Sequence, residues 1–157
     1  VDALLATEDR DFYQHDGVSP LAIARAMVAN IKAGRTVQGG STLTQQLAKN
    51  LLLSGARTWL RKAQEFALTL ALEGLLSKRR ILEIYLNNVE WGEGVFGAEA
   101  ASRHYFGKSA AQLTPWEAAR LAVMLPRPKH YEKFPQSEYL SGRSEIILGR
   151  MGGAQLP

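Results

Sequence analysis

Two neighbouring carboxylates, Glu8 and Asp9, stand at the end of a short apolar run. A carboxylate held at the edge of an apolar segment can act as a general base, because its surroundings tune its proton affinity. A solvated helix end is the commoner use of such a pair. Further on, Gly39-Gly40-Ser41-Thr42 precedes a helical pattern. Glycines let backbone amides approach a ligand, and a helix start favours negative charge, so this segment suits phosphate or pyrophosphate, although a simple loop with an N-cap would read the same. It is not a Walker loop, since the Gly-Lys-Ser/Thr ending is absent. Gln45 and Lys49, and Gln46 and Lys49, lie four and three residues apart, which gathers two amides and an ammonium on one side of a helix, with Asn50 following. Leu47 and Leu51 are left to take the core side. Arg61, Lys62 and Glu65 form a second polar cluster at the same spacings. Such cations can offset developing phosphate charge, although a surface ion pair would look the same.

Other polar residues point less sharply. His15 could orient a carboxylate or bind metal, but it lacks a partner at metal-binding spacing, and a structural histidine is the simpler reading. Lys78-Arg79-Arg80 starts a helix, where cations oppose the helix dipole. This suits contact with anionic lipid, or a solvated turn. Trp59, Trp91 and Trp116 could anchor at a membrane surface, but core or interface packing is the commoner use of such residues.

The elements that must hold these residues read as nearly all helix. A short helix covers residues 2–9. Ser19-Pro20 begins the next, with Leu21, Ala24, Val28 and Ile31 at helical steps and Gly34 as its stop. A polar loop, 35–40, leads to a helix capped by Ser41 or Thr42, running through Leu43, Leu47, Leu51 and Leu52 to Gly55. Thr58 or Trp59 opens a long helix on which Leu60, Ala63, Ala67, Leu70, Ala71 and Leu75 share an apolar side. Residues 78–87 form another. Asn87 to Gly97 reads as a structured loop, and a helix follows from Ala98 to Tyr105. Thr114-Pro115-Trp116-Glu117 carries a threonine cap, a first-turn proline and a capping-box glutamate. Its helix ends near Pro126. A last helix falls around 140–150. No segment alternates with a period of two.

The 157 residues fit one domain with its own core. At 46% hydrophobic and 22% charged residues, the chain is not a disordered one. The net charge of +4 is compatible with an anionic partner. With no cysteine, thiolate catalysis and disulfides are excluded. No apolar run reaches spanning length. The chain opens at Val1 in what reads as mid-helix, so an upstream segment that could carry an anchor is expected.

Taken together, five segments in order resemble the bacterial peptidoglycan glycosyltransferase family. They are Glu8–Gly17, Gly39–Asn50, Arg61–Glu65, Lys78–Asn87 and Glu117–Ala122 with Pro126 and Pro128 beyond. The resemblance implies a mainly α, lysozyme-like bilobal domain with a small membrane-facing jaw. It implies that residues 1–157 are the catalytic domain without its N-terminal membrane anchor, and a monofunctional enzyme is the simpler expectation. The implied reaction joins lipid II into linear glycan strands. The acceptor 4-hydroxyl attacks the anomeric carbon with inversion, and undecaprenyl pyrophosphate leaves. On this resemblance Glu8 is the general base and Glu65 the second essential glutamate. Lys49, Arg61 and Lys62 meet the pyrophosphate, while Ser41, Thr42, Gln45, Gln46 and Asn50 hold sugar or phosphate. No cofactor is assigned. A divalent cation, Mg or Mn, near Glu8 or Asp9 is used by some relatives and is left open. The implied partners are lipid II, the growing lipid-linked glycan, moenomycin-type inhibitors and the outer or periplasmic face of the bacterial cytoplasmic membrane, with no nucleic acid.

Three rival readings remain, one of them an inactive interaction domain, which no damaged motif residue favours. A lysozyme-like hydrolase explains Glu8 and Glu65 but not the Gly39–Asn50 run or the Arg61–Lys62 pair. A nucleic-acid-binding module explains the charge, but no helix-turn-helix is evident.

Overall fold

The computed structural model describes residues 1–36, 39–52 and 58–153. Gly55 and part of the 35–40 loop, Val37 and Gln38, lie outside the described residues. The described chain is mainly helical, as the sequence implies. Its helices are α1 (Asp2–Glu8), α2 (Pro20–Ala33), α3 (Leu43–Leu51), α4 (Trp59–Leu75), α5 (Lys78–Asn88), α6 (Ala98–Phe106), α7 (Pro115–Met124), α8 (Pro128–Lys133) and α9 (Glu138–Arg150). Among them no helix is long and apolar enough to cross a membrane.

The helix starts follow from local chemistry. Ser19, Thr42, Thr58, Thr114 and Ser137 each accept a backbone amide of the first turn that follows, satisfying a donor that has no partner within the helix. Thr42 and Thr114 complete capping boxes with Gln45 and Glu117. Gly34 and Gly107 close α2 and α6 in the left-handed conformation.

The chain divides into two compact units. One comprises Val1–Arg10 and Glu83–Leu156, the other Asp11–Leu82. In the first unit α1 packs on α7 and α9. Leu4 and Leu5 of α1 are buried, as are Leu121 and Val123 of α7 and Leu140 and Ile147 of α9. A hairpin follows α5: β1 (Glu90–Gly92) pairs antiparallel with β2 (Val95–Phe96), with an irregular register between Glu90 and Gly92. This corrects the reading of Asn87–Gly97 as a loop. Strands of three and two residues are too short for alternation to register in the sequence. The short helix α8 was also unforeseen. Pro128 reads as a stop for α7, yet it occupies the first turn of a new helix.

Trp91 ties the hairpin to α7. The cap amide of Leu125 turns to the Ala122 carbonyl, and the indole N–H of Trp91 donates to the Leu121 carbonyl at 2.8 Å. The indole thereby satisfies one of the acceptors a helix leaves open at its C-terminus. Trp91→Phe leaves that buried carbonyl without its donor and is expected to lower unfolding stability by about 1–3 kcal/mol. Urea denaturation checks this, and an unchanged midpoint contradicts it.

In the second unit α3 packs on α4. Leu43, Thr44, Leu47 and Ala48 of α3 are buried, but Leu51 is exposed, against the expectation that it joins the core. The apolar sides of α2 and α4 are real, but they face outward. Leu21, Val28 and Ile31 on α2 and Leu60, Leu70 and Leu75 on α4 are all exposed. α2 buries only Ala26, while α4 buries Glu65 and Thr69. Periodicity reveals which residues share a side, not what that side meets.

Candidate functional site

Thr42 anchors the glycine-bearing segment. It is buried, and its hydroxyl donates to the Gly17 carbonyl at 2.6 Å while accepting from the Gln45 amide. The Gln45 side-chain oxygen accepts the Thr42 amide at 2.9 Å. Both residues thus hold the segment in place through contacts within the chain. Gly40 is required by close approach: a Cβ there would stand 3.0 Å from the Ile23 Cα. Gly39 meets no such neighbour within 4 Å. Ser41, Lys49 and Asn50 are exposed, and Gln46 is half-buried.

The Arg61–Glu65 cluster forms at the start of α4. The guanidinium of Arg61 donates to the Lys49 carbonyl at 3.1 Å. That carbonyl lies in the last turn of α3, where a cation complements the helix end. Lys62 pairs with Glu65 at 2.9 Å, and the two differ sharply in exposure, with side chains 63% and 8% exposed. The carboxylate is therefore buried beneath an ammonium that reaches solvent. Within this unit Ser41, Thr42, Gln45, Gln46, Lys49 and Asn50 come from the start and body of α3, and Arg61, Lys62 and Glu65 from α4. The Arg61–Lys49 contact joins the two groups.

Glu8 and Asp9 belong to the other unit. Glu8 is the last residue of α1, and Asp9 is buried just beyond it. Tyr85 of α5 is almost wholly buried in the same unit. Burial first, and then the Glu8 carboxylate, hold its phenol well above the ordinary tyrosine range. The phenol therefore stays protonated at neutral pH. Nothing in the spacing of Tyr85 along the sequence marks it as a neighbour of Glu8.

His15 bonds within its own segment. Its Nδ1 accepts the Gly17 amide at 3.1 Å. Among the described residues no group of three or more His, Asp or Glu side chains is arranged to hold a metal ion. A ready-made protein cage is thus not part of what they offer. A shallow groove lined by His130, Phe134 and Ser137 contains none of the residues singled out by sequence.

A family profile described as Transglycosylase matches residues 1–152. Among curated proteins, a "Biosynthetic peptidoglycan transglycosylase" of Herminiimonas arsenicoxydans is 55% identical over 99% of this chain and 67% of its own length. Proteins with the same description from Janthinobacterium sp. (strain Marseille) and Bordetella avium are 56% and 52% identical, with 99% of this chain covered in each case. The chain spans about two thirds of the length of these relatives.

Proposed function

Since this chain belongs to the transglycosylase family and is an enzyme of it, we propose that it polymerises lipid II into linear glycan strands of peptidoglycan. The acceptor 4-hydroxyl attacks the anomeric carbon of the lipid-linked donor. The new glycosidic bond forms with inversion, and the bond to the pyrophosphate oxygen breaks. Glu8 accepts the proton of the attacking hydroxyl, for which it must be ionised. Lys49, Arg61 and Lys62 offset the charge that gathers on the departing pyrophosphate. Pyrophosphate needs little protonation to leave, so no strong general acid is demanded.

Ser41, Gln46 and Asn50 hold sugar or phosphate oxygens directly. Thr42 and Gln45 act on the substrate through the segment they cap. Glu65 has a positional part in this scheme: by pairing with Lys62 it holds that ammonium in one place, which lowers the ordering cost when the anion binds. What chiefly supports this reading is the Arg61 guanidinium set against α3 through the Lys49 carbonyl, with the Lys62–Glu65 pair beside it on α4. A hydrolase has no use for such a cluster.

The domain is proposed to be lysozyme-like and bilobal, with 1–157 forming the catalytic domain. Its membrane-facing jaw would be the part that carries α2 and α4. Support comes from their outward apolar faces, which suit the acyl region of the outer or periplasmic face of the cytoplasmic membrane. Moenomycin-type phosphoglycolipids are the expected inhibitors, since they present a phosphate and a lipid together.

Incubation with lipid II in detergent or vesicles tests the proposal. Lengthening glycans with release of undecaprenyl pyrophosphate are expected. Cleavage of finished glycan, with no polymer formed, would support a hydrolase and overturn it.

A further inference from the structure

The cations at the start of α5 look misplaced in the sequence, but Lys78 is turned inward. Its ammonium pairs with Glu73 Oε1 at 2.7 Å and lies 4.5 Å from the centre of the Phe12 ring. The same oxygen of Glu73 accepts the Thr44 hydroxyl at 2.6 Å. Both side chains of the ion pair are largely buried, Glu73 at 7% and Lys78 at 18% exposure. Gly17 lies against this point too. A Cβ there would meet Thr69 Cγ2 at 2.8 Å and Glu73 Cγ at 3.0 Å. The Gly17 carbonyl in turn receives the Thr42 hydroxyl. One glutamate of α4 therefore bonds the first turn of α3 and the first residue of α5 through its carboxylate, and its Cγ lies against Gly17.

A buried ion pair is weak evidence for stability, because desolvation offsets most of its attraction. An apolar pair of similar volume would fill the space as well. What it could not do is fix Thr44 by a directional bond at a single oxygen. Thr44 sits one residue beyond the helix start, so its bond sets how α3 is seated and hence where Ser41, Gln46 and Lys49 are presented.

We propose that Glu73, together with Lys78, is a positioning residue for the pyrophosphate-linked sugar ligand: it seats the first turn of α3 through Thr44 and touches no substrate itself. The inference rests on the proposed function, in which α3 holds that ligand.

The test uses three forms of the protein: Thr44→Val, Glu73→Gln, and the apolar double replacement Glu73→Leu with Lys78→Met. Glu73→Gln strands the buried ammonium and is expected to lower the melting temperature. The double replacement restores that temperature. In Thr44→Val and in the double variant, KM for lipid II is expected to rise about tenfold with kcat within about twofold. Affinity for moenomycin is expected to weaken in parallel. If KM returns to the unaltered value once stability is restored, the pair is purely structural and the proposal is overturned. Amide hydrogen exchange across residues 43–47 separates this from the function itself. Faster exchange there, with α7 unchanged, is expected in Thr44→Val whether or not the enzyme polymerises lipid II. Unchanged exchange overturns the seating role. Failure of the unaltered protein to polymerise lipid II counts against the proposed function instead.

Discussion

Glu8→Gln is expected to reduce kcat for lipid II polymerisation by at least about 10²–10⁴-fold, the range supplied by a positioned general base. Glutamine keeps the shape and the hydrogen-bonding capacity of the side chain but cannot take up the proton. The fold should tolerate the change. Glu8 ends α1, where the helix dipole disfavours negative charge, so neutralising it removes one unfavourable interaction of that helix end. Moenomycin should bind as before, since the proposed phosphate contacts lie on α3 and α4. Three measurements check this: initial rates of glycan synthesis, a thermal melt and inhibitor binding. Normal strand synthesis by the variant would exclude Glu8 as the base. Loss of rate together with loss of folding would leave the chemistry to be assigned to another residue.

Gly17→Ala is expected to be the most damaging single methyl group in the second unit. Gly17 has φ +93°, a conformation that L side chains rarely adopt, and the added Cβ would press on Thr69 and Glu73. Backbone strain and overpacking together are expected to cost roughly 2–6 kcal/mol, comparable with the whole stability of many domains. Gly34→Ala is the matched control. That residue also has positive φ, but nothing lies within 4 Å of its would-be Cβ. Its cost should stay near about 1 kcal/mol. Urea midpoints for the two variants check the difference, and equal losses would mean that packing against α4 contributes nothing.

Helix starts were the most legible part of the fold, because a cap is a local event. Ser19 before Pro20, Thr58 before Trp59, and Thr114 with Pro115 and Glu117 each announce a helix within four residues. The facing of the helices was not legible. Leu60, Leu70 and Leu75 share a side of α4, yet the buried positions of that helix are Glu65 and Thr69. A rule that places apolar residues inward fails where a protein has some other use for them. The candidate site was legible as residue types but not as connections. Glu65 pairs with Lys62 at the three-residue spacing seen in the sequence. Arg61 instead reaches back twelve residues to a backbone carbonyl, and Glu73 collects partners 29 residues upstream and five downstream. No helical spacing encodes such contacts. The one hint was Lys78 at the wrong end of a helix dipole, a local cost offset by the Glu73 carboxylate of the preceding helix.

On the proposed function, the outward apolar residues of α2 and α4 also change what a measured rate means for this protein. An enzyme that rests on an amphiphile layer meets a lipid-linked substrate in two dimensions. Its velocity then follows the mole fraction of substrate in that layer rather than the moles per litre of the tube. Adding detergent at fixed substrate would slow it by surface dilution alone, with every catalytic residue intact. Activities of variants are therefore comparable only at a fixed ratio of substrate to amphiphile.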